Sequence, residues 1–263
     1  MCMRMKLICC DVLFRMACQA ASRSRNVIDI EFTELKSHAE PDKLRAHIQN
    51  MIDAADAAGA YDAVLLGYGL CGNSTAGLVA RGQPLVISRA HDCCTLFLGS
   101  RSKFAEQFGH RYSAQWSSHG YLERSGDYLG GTDLGKGLGF DKEYKELVEQ
   151  YGEDNAEYIW ETLHPAQSVG EDERIYIDVA PFDGAQSGDY HYKRFLNAVL
   201  AETEKERLGG SGAQPIINRL EGSSRLIDML LDGDWGDDFL IVPPGMAISP
   251  VYDMEYVVTA AQL

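Results

Sequence analysis

The sequence predicts an α/β fold: Rossmann-like, with a mostly parallel sheet and flanking helices. Two observations carry the prediction. Short, nearly continuous apolar runs recur at Lys6–Val12, Ala63–Leu66 and Pro84–Ser88, as expected of strands covered on both faces. Segments of helical periodicity lie between them, and that alternation is the rhythm of parallel crossover units. With 263 residues, 45% of them hydrophobic and 24% charged, the chain suffices for one doubly wound domain or two lobes.

Taken in order, Lys6–Val12 is the first strand and Leu13–Ser22 a short helix. Val27–Thr33 (VIDIEFT) alternates with period two and is the second strand. Pro41 and Asp42 open the clearest helix, whose stripe of Leu44, Ile48, Met51, Ile52 and Ala55 ends at Gly59. Ala63–Leu66 runs into the loop Gly67-Tyr68-Gly69-Leu70-Cys71-Gly72-Asn73, after which Ser74 is placed to cap a helix. Pro84–Ser88 leads through Arg89-Ala90-His91-Asp92 into a helix over Thr95–Phe108. Further strands are expected at Arg111–Ser118, Arg174–Val179, Pro215–Leu220 and Phe239–Val242, and further helices within Asp141–Leu163, Tyr192–Leu208 and Ser223–Leu231. Gly126–Gly139, glycine-rich and without apolar periodicity, reads as an ordered loop, a lid or a boundary between lobes. The division that follows is 1–125 as a lobe carrying the site and 126–263 as a lobe covering it, or one continuous domain.

Charge narrows the partners. Lys and Arg number 24 against 39 Asp and Glu, for a net charge of -15, so no basic excess exists to bind a nucleic-acid backbone or an anionic membrane surface. No stretch approaches the roughly eighteen apolar residues of a membrane span. Leu7–Phe14 is apolar but interrupted by Asp11 and followed by no small-residue cleavage site, so it reads as a buried strand and not a signal peptide.

All seven cysteines, at positions 2, 9, 10, 18, 71, 93 and 94, fall in the first 94 residues. An odd count in a chain of this size argues against a disulfide framework and for reduced thiols in the cytoplasm. In open parallel sheets ligands sit at the carboxyl ends of the strands. Three expected strands end in cysteine at that place: Cys9 or Cys10, then Cys71, then Cys93 or Cys94. Together with His91 these thiols would meet if the strands are neighbours, and thiolates with imidazole suit zinc or an iron-sulfur cluster. The glycines beside Cys71 would admit a bound group. No CxxC pair occurs, so the expectation rests on tertiary convergence. Packing is the competing explanation for Cys9 and Cys18, and Cys2 belongs to the terminus.

Other motifs compete for the same residues. Cys93 at a helix start, beside His91, is a candidate catalytic nucleophile activated by the helix dipole, whereas Asp92 reads as the cap of that helix. Gly67-x-Gly69-x-x-Gly72 matches the dinucleotide fingerprint formally, which makes Gly67, Tyr68, Gly69, Gly72 and Asn73 candidate cofactor contacts, but it follows the third strand instead of the first. His38 and His119 are placed to line the cleft and His47 to face solvent. The acidic run Asp228–Asp238 reads as a solvated turn around buried Trp235.

The strings LICCDVLFRMAC, YDAVLLGYGLCGN, LVISRAHDCCTLFLGS and DMLLDGDWGDDFLIVPPG resemble the DUF1638 family of bacterial and archaeal proteins, over roughly Lys6 to Gly245. The resemblance aligns a cysteine after the first strand, a YGLC segment and an HDC segment with Cys10, Cys71 and His91-Asp92-Cys93, and leaves Cys94 as a variable extra. Around Ser118–Glu123 the sequence departs from the family pattern, so nothing carries over to His119. Family members often lie beside corrinoid-dependent methyltransferase systems, which suggests a setting. Three readings follow: a metalloprotein using Cys10, Cys71, Cys93 and His91, acting in one-carbon methyl transfer; a non-catalytic factor holding a small molecule or a corrinoid protein; or a metal-free cysteine enzyme using Cys93 and His91.

Overall fold

The computed structural model describes residues 2–35, 40–109, 114–125, 130–131, 148, 173–180, 188–208, 214–251 and 255–262. Its first sheet is built from β1 (Arg4–Cys10), β2 (Val27–Thr33), β3 (Ala63–Gly67), β4 (Leu85–Ser88) and β9 (Phe239–Val242), in the order β2-β1-β3-β4-β9. The first four strands are parallel and β9 closes the edge antiparallel to β4. Every residue of β3 and β4 is buried, which is why both read as unbroken apolar runs. The edge strand β2 keeps its period-two alternation because one side stays wet.

Helices α1 (Phe14–Arg23), α2 (Pro41–Ala58), α3 (Cys93–Leu98), α4 (Arg101–Phe108) and a later α7 (Arg225–Asp232) accompany this sheet. In α2, proline opens the first turn and Gly59, at φ +60°, ends the helix in the left-handed conformation. Its predicted stripe is the buried one, and each fully buried Leu or Ile there contributes about 1.5–3 kcal/mol of transfer free energy.

A second sheet has the order β6-β5-β7-β8: β5 (Gln115–Ser118), β7 (Glu173–Asp178) and β8 (Ile216–Glu221) are parallel and β6 (Gly130–Gly131) is antiparallel to β5. Helix α5 (His119–Ser125) follows β5, and α6 (Gly188–Leu208) joins β7 to β8. Alternation along β7 separates its faces. Ile175 and Ile177 enter the core shared with β1, β3, β4 and α3, while Tyr176 packs with Leu122, Phe195 and Val199. Neither sheet respects residue 125, since β9 comes from beyond it and β5 from before it. A hairpin of β10 (Met246–Pro250) and β11 (Val258–Gln262) completes the described chain. No helix among the described residues is long and apolar enough to cross a membrane.

Two expectations change. No helix follows Ser74: residues 71–77 run as turns, because Cys71, Gly72, Asn73 and Gly77 all have positive φ, which a right-handed helix excludes. The helix expected over Thr95–Phe108 starts earlier and is split, since Gly99 turns left-handed at φ +68° and Ser100 caps α4 by accepting from Lys103 N. The hairpin was not anticipated. Apart from Gly130, Gly131 and Val148, the expected lid and the helices of Asp141–Leu163 lie outside the described residues, as does His38.

Candidate functional site

Strand order reverses between β1 and β3: from β1 the chain winds outward to β2, and from β3 outward the other way to β4. Such a switch point leaves a crevice at the carboxyl ends of the two central strands. Cys10 is the last residue of β1, and Cys71 lies four residues beyond the end of β3. The third arm comes from the β4–α3 connection, where Cys93 is the first residue of α3.

Two backbone hydrogen bonds join the second arm to the third: Leu70 N donates to Ala90 O at 2.8 Å and Cys71 N to His91 O at 2.8 Å. They form because Gly69 has no side chain, since a Cβ there would lie 2.7 Å from Ala90 O and 2.9 Å from Asp92 N. From the other side Arg45, on α2, donates to Asn73 O at 2.8 Å. Cys71 is held at φ +47°, a conformation that costs a non-glycine residue about 1–2 kcal/mol and persists only where surroundings enforce it.

The three thiols meet. Cys71 Sγ lies 4.0 Å from Cys93 Sγ, and the Cys93 thiol is also hydrogen-bonded with Cys10. Cys10 is fully buried and Cys71 and Cys93 nearly so. Hydrogen bonds with Cys10 and Cys71, followed by burial, push the Cys93 thiol well above its ordinary pKa, opposite to the lowered value expected at a helix start. Tyr68, which follows β3, is buried and hydrogen-bonded to Thr33 Oγ1; burial first and then Cys10 push its hydroxyl upward.

Strand register separates Cys10 from Cys9. Cys9 pairs with Gly67 across β1 and β3, and a Cβ on Gly67 would lie 2.4 Å from Cys9 Sγ, so the Cys9 sulfur packs there and donates to Cys10 O. Gly67 and Gly69 are thus used for internal close approach. With turns instead of a helix after β3, the glycine fingerprint lacks the helix N-terminus that binds a pyrophosphate, and only Gly72 borders open space.

A family model described as "Protein of unknown function (DUF1638)" matches residues 32–200, more than half of the sequence. The chain belongs to the DUF1638 family. No curated protein and no solved structure matches it. In this DUF1638 protein Cys71, His91 and Cys93 lie inside the matched segment and Cys10 precedes it.

The remaining sequence candidates separate. His91 is half-buried with its ring stacked on Phe104 at 5.9 Å, and it meets the thiol loop through its carbonyl. Asp92 caps α3, its Oδ1 accepting from Cys94 N at 2.9 Å. His47 is exposed, as expected. Trp235 is half-buried and donates to Leu230 O, while Asp228 and Asp238 of the acidic run are engaged by Arg23 and by Arg101 and Arg225. Among the described residues, no group of three or more His, Cys, Asp or Glu side chains stands as a ready-made cation site.

A second polar cluster borders the same β1–α1 turn. His119 and Glu123 are one turn apart on α5, and His191 on α6 faces them: His191 Nε2 is 3.2 Å from Glu123 Oε1, and the two imidazole rings lie 6.2 Å apart. Arg15 Nε holds Glu123 at 2.7 and 2.8 Å. Burial lowers the His119 pKa to about 4, so its imidazole is neutral. The sequence singles out neither His191 nor Glu123 and predicts no helix at His119–Ser125; the His119/Glu123 spacing of four becomes a signal for Glu123 only once that segment is helical.

The Gly69 contact gives a direct test of how the thiol arms are joined. Gly69→Ala is expected to destabilise the fold by about 1–3 kcal/mol, because the methyl meets backbone that cannot rotate away. Denaturant unfolding reads this, and a change below about 0.5 kcal/mol would contradict the close approach.

Proposed function

We propose that this DUF1638 protein is a soft-metal-binding protein of the cytoplasm, holding zinc or an iron-sulfur cluster on Cys10, Cys71 and Cys93. The observation that carries the reading is the meeting of three buried sulfurs from three separate strand-end segments at the switch point of the sheet. The donor set fits. In a tetrahedral zinc site with 2.3 Å bonds, neighbouring sulfurs lie about 3.8 Å apart, and the Cys71–Cys93 spacing is 4.0 Å. The buried Cys93 thiol, whose pKa its hydrogen bonds with Cys10 and Cys71 raise, becomes a stable thiolate only beside a positive charge, which a divalent ion supplies. Thiolates select soft ions over calcium or magnesium. His91 acts as fourth ligand or supports the site through the carbonyl that anchors Cys71.

Bound there, such an ion would act as a Lewis acid toward a small-molecule thiol, water or methyl acceptor, in keeping with the one-carbon, corrinoid-linked setting the family resemblance suggests. Seven cysteines, an odd count in a chain of this size, favour a reducing compartment. The metal-free nucleophile reading loses support from the direction of the Cys93 shift, because a thiol held protonated attacks slowly. Metal analysis of anaerobically purified protein is the test. The expected result is near-stoichiometric zinc in a colourless protein, or iron and sulfide in a brown one, falling to background in Cys71→Ser. Absence of both metals from wild type, or a content unchanged in Cys71→Ser, would overturn the proposal.

A further inference from the structure

We propose that the cluster is also an oxidation site, at which Cys71 and Cys93 join in a reversible disulfide when a peroxide or a low-molecular-weight disulfide reaches them. The link itself is independent of the metal reading; its consequence for a bound ion rests on that reading.

Spacing favours the link. A disulfide needs its sulfurs about 2 Å apart, and those of Cys71 and Cys93 are 4.0 Å apart, so the gap to close is about 2 Å. Both backbones are already in place, because Leu70–Ala90 and Cys71–His91 hydrogen bonds fasten one segment to the other. Cys93 is fixed as the first residue of a capped helix. Cys71 opens the run of turns over residues 71–77, outside any sheet ladder, so the adjustment falls on its side. Its left-handed backbone is a strained conformation held by these surroundings. Access is short: Cys71 and Cys93 are 2% exposed, yet neighbouring Gly72 borders open space where a side chain would stand.

The other thiols are less suited. Cys9 packs against Gly67, Cys2 is exposed and donates to Arg25 O, and Cys18 is half-buried on α1. Cys10, hydrogen-bonded with Cys93, is the competitor within the cluster.

With hydrogen peroxide the chemistry balances in two steps. The first thiolate to form attacks the O–O bond, gaining an OH group as hydroxide leaves. The neighbouring thiol then attacks that sulfenic sulfur, the S–S bond forms and water departs, the thiol proton leaving with it. Two thiols and one peroxide give one disulfide and two waters, the sulfurs losing two electrons and the peroxide gaining them. A dithiol reductant restores the pair by exchange. Burial makes the forward step slow compared with an exposed thiolate. Since a disulfide is not a thiolate ligand, oxidation removes two of the three proposed donors and releases the ion.

The test uses the full chain, reduced and then freed of reductant, treated with a small excess of hydrogen peroxide. Alkylation of unfolded samples is expected to label five cysteines instead of seven, and tryptic mapping without reduction should join Ala46–Arg81 to Ala90–Arg101. Fragmentation should place the link on Cys71 and Cys93. Cys10→Ser should keep the link and Cys71→Ser should lose it. Oxidation confined to Cys2 or Cys18, a Cys10–Cys93 link, or seven thiols still reactive would overturn the proposal. The two readings fail separately: a protein without metal that forms the link refutes only the metal site, and a metal-bearing protein that never forms it refutes only this inference.

Discussion

Gly120→Ala is expected to destabilise the protein by about 3 kcal/mol or more, and to do so without touching a thiol. A Cβ on Gly120 would lie 1.9 Å from Val12 O and 3.0 Å from Phe97 Cζ. The carbonyl belongs to the turn that follows Cys10, and the ring to the helix that begins with Cys93. Relief requires α5 to move away from the first sheet, since a backbone oxygen has no rotamer to change. That movement would also separate Glu123 from Arg15 and His119 from Phe97, whose rings are 5.7 Å apart, so several contacts are lost together. Gly236→Ala is the control, with nothing within 4 Å of the added methyl, and should stay within about 0.5 kcal/mol of wild type. Urea unfolding of the pair decides: equal midpoints would mean that α5 does not seat on the β1–α1 turn.

The junction at Gly120 also shows where the sequence speaks and where it falls silent. Cys10, Cys71 and Cys93 were legible because a parallel sheet aligns the carboxyl ends of its strands, so a cysteine after each of three apolar runs implies one neighbourhood. Val27–Thr33 and Phe239–Val242 were legible to the residue, since each apolar run is bounded by polar residues or proline. The pairing of β9 with β4 was not, because it brings Ser88 beside Phe239 across a long connection that leaves no local trace. Nor was the turn after Cys71, where a run of left-handed residues overrides the cap that Ser74 suggested. His191 stands opposite Glu123 only through the packing of α5 on α6, which no periodicity encodes.

The same cluster makes the protein acid-labile in a definite window. Burial keeps His119 neutral, lowering its pKa from 6.5 to about 4, with Glu123 acting in the opposite direction and His191 and Arg15 reinforcing the shift. The unfolded chain therefore binds a proton that the folded chain refuses. Stability is lost as pH falls from 6.5 toward 4, by about 3 kcal/mol from this residue once the window has been crossed. Asp178 also faces His119 electrostatically and favours its protonation, though not enough to outweigh burial. Glu123 adds a loss at lower pH. Its carboxyl is held below the ordinary range because Arg15 outweighs the effect of burial, so protonating it gives up the ion pair. His119→Phe removes the titrating group while keeping an aromatic ring against Phe97, and should flatten the fall between neutral pH and pH 4. His47→Gln, on the exposed side of α2, should leave it unchanged. Denaturant unfolding across that range is the measurement. A wild type as flat as His119→Phe would mean that the protonated imidazole reaches water or a hydrogen-bond acceptor in the folded state, and that α5 does not hold it buried against Phe97.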